Sequence, residues 1–212
     1  MRDSLYAIVS GRSQHWEGVY SGRRPEELSW YQPDPATSMA LIGHAAPGPD
    51  DPVVDVGGGA SLLVDRLLEA GYTRLTVLDL SVAALAHARA RLGSRAAAVE
   101  WVEADVTAWT PTRRYALWHD RAVLHFLTDP ADRRRYAGVL DQALAPRGQV
   151  IIGAFAVGGP TRCSGLDIVQ YDAPRLLREL GAGFEVVEEM AESHVTPAGR
   201  DQAFAWFRLR RP

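Results

Sequence analysis

The chain has 212 residues, 23 basic and 26 acidic side chains, a formal charge of −3 and a single cysteine. That length holds one domain with a substantial core; the near-neutral balance speaks against a nucleic-acid partner, which needs a concentrated basic field, and one cysteine excludes an intramolecular disulfide framework or a multi-cysteine metal cluster. All 23 basic residues are Arg and there is no Asn, which removes Schiff-base chemistry, the Gly-x-x-x-x-Gly-Lys phosphate loop and N-glycosylation sites.

The start, Met1-Arg2-Asp3-Ser4, has no long apolar run or Ala-x-Ala cleavage site, and no stretch of about 18 apolar residues follows. The expectation is a cytoplasmic chain with no membrane partner. Residues 1–45 read as an irregular arm rich in Trp16, Tyr20, Trp30 and Tyr31, and Ala46 to Asp51 with Pro52 reads as a connection because Pro47, Pro49 and Pro52 deny helix and central strand. Residues 46–212 then alternate. Val53 to Val56 is a buried-type strand followed by Gly57-Gly58-Gly59, and Ser61 to Ala70 is helical with Gly71 past its end. Leu75 to Leu78 is a strand, and Ser81 caps a helix that runs to Leu92 and stops at Gly93. Val99 to Val102 and Tyr115 to Trp118 are strands, Pro130 starts a helix, and Pro146-Arg147-Gly148 turns into a strand from Gln149 to Phe155. A helix from Ala173-Pro174 to Gly181 precedes two strands, Phe184 to Glu188 and Ala203 to Leu209. The alternation predicts an α/β, Rossmann-like, doubly wound sheet of seven mainly parallel strands with an antiparallel last strand and helices on both faces.

Three glycines between a buried strand and a helix let a ligand approach the backbone beside the helix N-terminus; the alternative is a tight turn that binds nothing. Leu62 stands where the nicotinamide fingerprint Gly-x-Gly-x-x-Gly needs its last glycine. Asp55, two residues before Gly57, suits an ammonium rather than a pyrophosphate. Asp79, 22 residues after Gly57, stands where a carboxylate pairs with ribose hydroxyls, and Asp105 closes the next strand, positioned to accept from an exocyclic amine. Each is alternatively a helix cap or a surface carboxylate.

Through Val54-Asp55-Val56-Gly57-Gly58-Gly59, Leu78-Asp79, Ala104-Asp105-Val106 and the strand near Ile151, residues 53–155 resemble the class I S-adenosylmethionine-dependent methyltransferases. The resemblance implies S-adenosylmethionine as cofactor, with Asp55 and Gly57 at its methionine part, Asp79 at the ribose and Asp105 at the adenine. It extends the cofactor set to Gly59, Leu80, Val106, Asp120 and Trp30. The run Asp120-Arg121-Ala122, Leu124, Pro130, Asp132-Arg133 and Tyr136 is similar to the thiopurine and related thiol methyltransferases, as are Trp16 to Tyr20 and Gly159-Pro160, whereas Thr161 to Leu166 departs from that group.

At the end of the fourth strand, His119, Asp120 and His125 are candidate bases, and Arg121 or Arg162 is a candidate anchor for an anionic acceptor. Arg121 alternatively pairs with Asp120, and each His is alternatively a satisfied, partly buried side chain. Cys163 is either an activated thiol or a small loop residue. The aromatic arm is a candidate lid. The six His are scattered, with no metal-ligand spacing. The expected function is methyl transfer to a small acceptor, thiol or other soft nucleophile first, by a monomer or weak homodimer. The alternatives are a protein-lysine methyltransferase, a nicotinamide oxidoreductase, or a silent nucleotide-binding module.

Overall fold

The structure, a computed structural model, describes the backbone of residues 2–211 and the side chains of residues 11–211. Two helices, α1 (Arg2–Gly22) and α2 (Ala36–Ala45), precede the first strand. The arm is therefore largely helical rather than irregular; Arg12, Trp16 and Tyr20, four residues apart, fall on one helical face.

The alternation that follows is β1 (Val53–Val56), α3 (Leu63–Glu69), β2 (Leu75–Asp79), α4 (Val82–Leu92), β3 (Val99–Glu103), β4 (Tyr115–Arg121), α5 (Pro130–Ala143) and β5 (Leu144–Phe155). A two-stranded ribbon, β6 (Arg162–Cys163) and β7 (Leu166–Asp167), α6 (Ala173–Leu180), β8 (Glu185–Val195) and β9 (Asp201–Arg210) complete it. Local chemistry sets the ends. Ser81 Oγ accepts from the Ala84 amide, and Asp129 and Asp172 cap α5 and α6 in the same way, with Pro130 and Pro174 in the first turns.

The seven strands lie in the order β3-β2-β1-β4-β5-β9-β8, with β9 antiparallel to both neighbours and the rest parallel. This is the Rossmann-like sheet expected. Val54, Trp118 and Ile152 face Tyr136 and Leu140 of α5 and Leu176 of α6. Val53, Leu117, Ile151 and Trp206 face Leu41 of α2, Leu63 and Leu67 of α3 and Leu85 of α4. Each such buried side chain contributes roughly 1.5–3 kcal/mol, and the alternating contributions of β1, β4 and β5 make the sheet the shared wall of two cores.

Several boundaries differ from the sequence reading, and β4 runs on to Arg121 instead of ending at Trp118. β5 begins at Leu144, passing through Arg147 in the left-handed region (φ 60°). β8 runs to Val195 because it is the edge strand, where Glu189, Ser193 and Val195 can face solvent while Glu192 turns inward to accept from Trp206. The ribbon turns on Ser164 and Gly165, both at positive φ, the geometry of a tight hairpin turn. Among the described residues no helix is long and apolar enough to cross a membrane.

Polar ties hold α1 to the sheet. Glu17 accepts from Ser81 Oγ (2.8 Å) and the Ala83 amide (3.1 Å) at the N-terminus of α4, a favourable place for a carboxylate. Arg12 lies 3.0 Å from Asp105 and 3.3 Å from Asp132, and donates to Thr107. Replacing Arg12 with Ala leaves two buried carboxylates without their shared cation, a loss on the order of 1–3 kcal/mol. The expected result is at least tenfold faster amide exchange across residues 12–22; unchanged exchange would show that Arg12 does not hold the arm.

Candidate active site

The strand order reverses between β1 and β4, the point where an open parallel sheet leaves a crevice beyond its carboxyl ends. Two adjoining chambers occupy it. Asp79 and Asp105 line the larger, and Asp55 lines the smaller. Tyr20, Trp30, Gly57 and Arg121 are walls of both, so the three carboxylates surround one partitioned crevice.

Each carboxylate is buried and held on one side. Asp55 Oδ1 takes a 2.7 Å hydrogen bond from His119 Nδ1, its register partner on β4, while Oδ2 has no partner. Asp79 Oδ1 accepts from the Ser81 amide (2.9 Å), yet burial pushes its pKa up to about 7, with Asp55 adding repulsion. Asp105 Oδ1 accepts from the amide and hydroxyl of Thr107 (2.7 and 2.6 Å); Oδ2 faces Arg12 as an ion pair without an aligned hydrogen bond. The glycine turn makes room for these groups. A Cβ on Gly58 would lie 2.4 Å from Asp55 Oδ2, and one on Gly59 (φ 33°) would lie 2.6 Å from Asp79 Oδ2.

The β4 end separates four candidates that sequence placed together. Asp120 is fully buried and lines neither chamber; its oxygens accept from the Val123 and Leu124 amides (2.9 and 3.1 Å) and from the Tyr136 hydroxyl (2.7 Å). It positions the turn, which corrects its assignment to base and cofactor roles. His119 is likewise a positioning residue, its ring held between Asp55 and Ser38 Oγ (2.9 Å). Arg121 makes no ion pair with Asp120: Nη1 donates to the Trp30 carbonyl (2.8 Å), the guanidinium lies 4.8 Å over the Phe204 ring, and Nε and Nη2 are buried without partners. Burial lowers its pKa to about 10, leaving it charged at neutral pH.

His125 lines the larger chamber at 0% exposure. Burial, then the charge of Arg121, depresses its pKa to about 3. The ring is neutral, and Nδ1 accepts from the Phe155 amide (3.4 Å), which leaves the proton on the unpartnered Nε2. It is therefore a donor, not a base. Between these residues Ala122 adopts φ 69°, a strained conformation for a side-chain-bearing residue.

Gly57, Leu80, Val106 and Trp30 line the larger chamber, whereas Gly59 stands behind Asp79 and lines neither. Cys163 also lines it, but burial raises its thiol pKa and keeps it protonated. Arg162 is exposed and pairs with Asp167. Sequence reasoning missed Arg12, Phe126, Phe155, Phe204 and Gln202 as walls. The four-residue spacing of Arg12 and Trp16 was a findable signal; Phe204 and Gln202 come from β9, distant in sequence.

Residues 53–148 match the methyltransferase domain family. Nodulation protein S of Rhizobium tropici is 31% identical over 117 residues, 55% of this chain and 48% of that protein. The eEF1A lysine and N-terminal methyltransferase of Bos taurus is 27% identical over 160 residues, 74% of this chain and 22% of that protein. The chain thus spans about half the length of the first of these relatives and about a fifth of the second. A structure described under the conversion of a disulfide bond into a thioacetal group during echinomycin biosynthesis superposes with a TM-score of 0.75 at 20% identity, covering 94% of this chain and 91% of that one. Solved neighbours that hold S-adenosylhomocysteine share this fold, with TM-scores of 0.65 and 0.66 at 19% and 17% identity.

Proposed function

We propose that the chain transfers a methyl group from S-adenosylmethionine to a small acceptor, and that the accepting atom is a thiol sulfur or another soft nucleophile. The observation that carries the first half is the convergence of Asp55, Asp79 and Asp105 on one crevice around Gly57 and Trp30. The orphaned Asp55 Oδ2 and the outward Asp105 Oδ2 fit a ligand offering an ammonium at one end and an exocyclic amine at the other, and Asp79 fits ribose hydroxyls between them. When bound, S-adenosylmethionine supplies an electrophilic methyl on a sulfonium. The chain's own work is alignment and exclusion of water: Trp16, Tyr20, Trp30 and Phe126, in edge-on contact, roof the larger chamber.

The acceptor atom follows from what the β4 end lacks. Asp120 has its oxygens committed, His119 is clamped, His125 holds its proton, and Cys163 is protonated. None is placed to take a proton from an ammonium with a pKa near 10.4, whereas a thiol near 8.5 ionises readily. The charge of Arg121, which no carboxylate among the described residues pairs with directly, favours a thiolate and disfavours an ammonium beside it. The sulfur chemistry named for the echinomycin neighbour supports this choice. A nitrogen acceptor, including a protein amine, is the second reading, favoured by the 160-residue match to the bovine eEF1A methyltransferase.

Two outcomes are expected. Ribose hydroxyls donate to the ionised form of Asp79, so with a free-protein pKa of about 7 ligand binding must expel a proton below that pH. S-adenosylhomocysteine affinity, read by calorimetry, should be flat above pH 8 and fall toward tenfold per unit between pH 7 and 5. Asp79→Asn should bind more weakly with a flat profile, and a flat wild-type profile would remove Asp79 from the ribose site. For the acceptor, mass spectrometry of purified protein with methyl donor and a panel of aromatic thiols and primary amines should find S-methyl products at least tenfold faster than N-methyl ones. Faster amine methylation, or label from the donor entering lysate proteins rather than small molecules, would reverse the order of the two readings.

A further inference from the structure

We propose that Arg121 and His125 form an anion subsite for the acceptor, so that the molecule methylated here carries a carboxylate or similarly compact oxyanion on an aromatic or otherwise apolar body. The proposal rests on the methyltransferase reading of the same chamber and deepens it by naming the substrate class.

Arg121 is the central observation. Its guanidinium offers five donors, of which only Nη1 finds an acceptor, the Trp30 carbonyl. Nε and Nη2 are buried and unpartnered. Among the described residues no carboxylate lies within ion-pair distance of it, whereas Arg12 on the same chamber pairs with Asp105; Glu192 and Asp55 act on it only from farther off. Two buried N–H groups without acceptors are costly, and the contact with Phe204 offsets only part of that cost, because a ring face supplies no hydrogen-bond acceptor. An incoming oxyanion supplies the acceptors a planar fork needs and a charge in direct contact with it.

His125 adds a second donor. Its Nε2–H is buried without a partner, and His125 lines the same chamber as Arg121. A neutral donor beside a fixed cation suits an anion better than two cations, since no second charge needs desolvation. Trp16, Phe126, Phe155, Phe204 and Val123 supply apolar wall in the same chamber and set the body of the ligand. Arg162, the other candidate anchor, is exposed and paired.

Arg121 also borders the smaller chamber beside Asp55, so a carboxylate there has two sources, the acceptor or the amino-acid part of the cofactor. The experiment separates them. Tryptophan fluorescence of the full chain, with and without saturating S-adenosylhomocysteine, is titrated with benzoate, 4-mercaptobenzoate and indole-3-acetate, each against its methyl ester. The expected result is at least one acid binding tenfold or more tighter than its ester. That preference should vanish in Arg121→Met, shrink but persist in the charge-keeping Arg121→Lys, and fall severalfold in His125→Phe, while S-adenosylhomocysteine affinity stays within threefold. Acids and esters binding alike in wild type, or a preference surviving Arg121→Met, would overturn the subsite. A tenfold loss of S-adenosylhomocysteine in Arg121→Met and Arg121→Lys alike would assign the anion to the cofactor and overturn it too. Failure of wild type to bind S-adenosylhomocysteine would sink the methyltransferase reading instead, and the acid–ester preference measured without it would still decide the subsite.

Discussion

Asp120 accepts from two consecutive backbone amides, Val123 and Leu124, and from the Tyr136 hydroxyl, and these donors let a carboxylate sit fully buried at the end of β4. The chain needs that grip because the next residues turn sharply through Ala122 at φ 69°, a conformation that costs on the order of 1 kcal/mol or more without support. The Ala122 amide is itself tied to the Gly153 carbonyl of β5 (2.8 Å). Arg121, the last residue of β4, reaches across the crevice to Trp30, and His125 is carried into the wall on the short helical turn that follows. Tyr136 is in turn fixed by the Trp118 indole (3.0 Å), so the acceptor end is anchored in the core beneath it.

The glycine run at the end of β1 does a related job by subtraction. A backbone that merely approached a ligand would need glycine only where the ligand passes. Here Gly58 and Gly59 leave space that Asp55 and Asp79 fill, so the turn admits two carboxylates as well as a ligand. Their burial keeps both short of partners, and in Asp79 this appears as a raised pKa. His119 and Ser38 then fix the direction of Asp55 from behind, a polar chain running from α2 through β4 to β1.

The sheet, its order of elements and the carboxylates that line the crevice were legible because each is written in local sequence. Val53 to Val56 is uniformly apolar apart from Asp55, Ser81 and Gly93 bracket α4, and Asp79 and Asp105 close their strands. The acceptor end was not legible in the same way. His119, Asp120, Arg121 and His125 lie within seven residues of sequence, and proximity suggested a shared task. The pleat of β4 sends His119 toward Asp55 and Asp120 toward α5, and only Arg121 and His125 meet in the larger chamber. The arm looked irregular because its aromatic residues were read singly; their helical spacing carries the signal. Phe204 and Gln202 left no local trace, since pairing across β5 and β9 brings them to the site.

The arm links closure of the crevice to its contents. Arg12 faces the same Asp105 oxygen that an exocyclic amine would approach, so ligand and arm address one carboxylate. Competition alone would set arm closure against ligand binding. Arg12, however, also reaches Asp132 at the start of α5 and Thr107, so it keeps an anionic partner when a ligand takes a share of Asp105. An amine and a guanidinium can then sit on one carboxylate whose other oxygen is fixed by Thr107. Trp16 and Tyr20, one and two turns further along α1, remain over the chamber in that arrangement. The cation that fastens the arm is also the one that faces Asp105, so one contact both holds α1 over the chamber and shapes its Asp105 end.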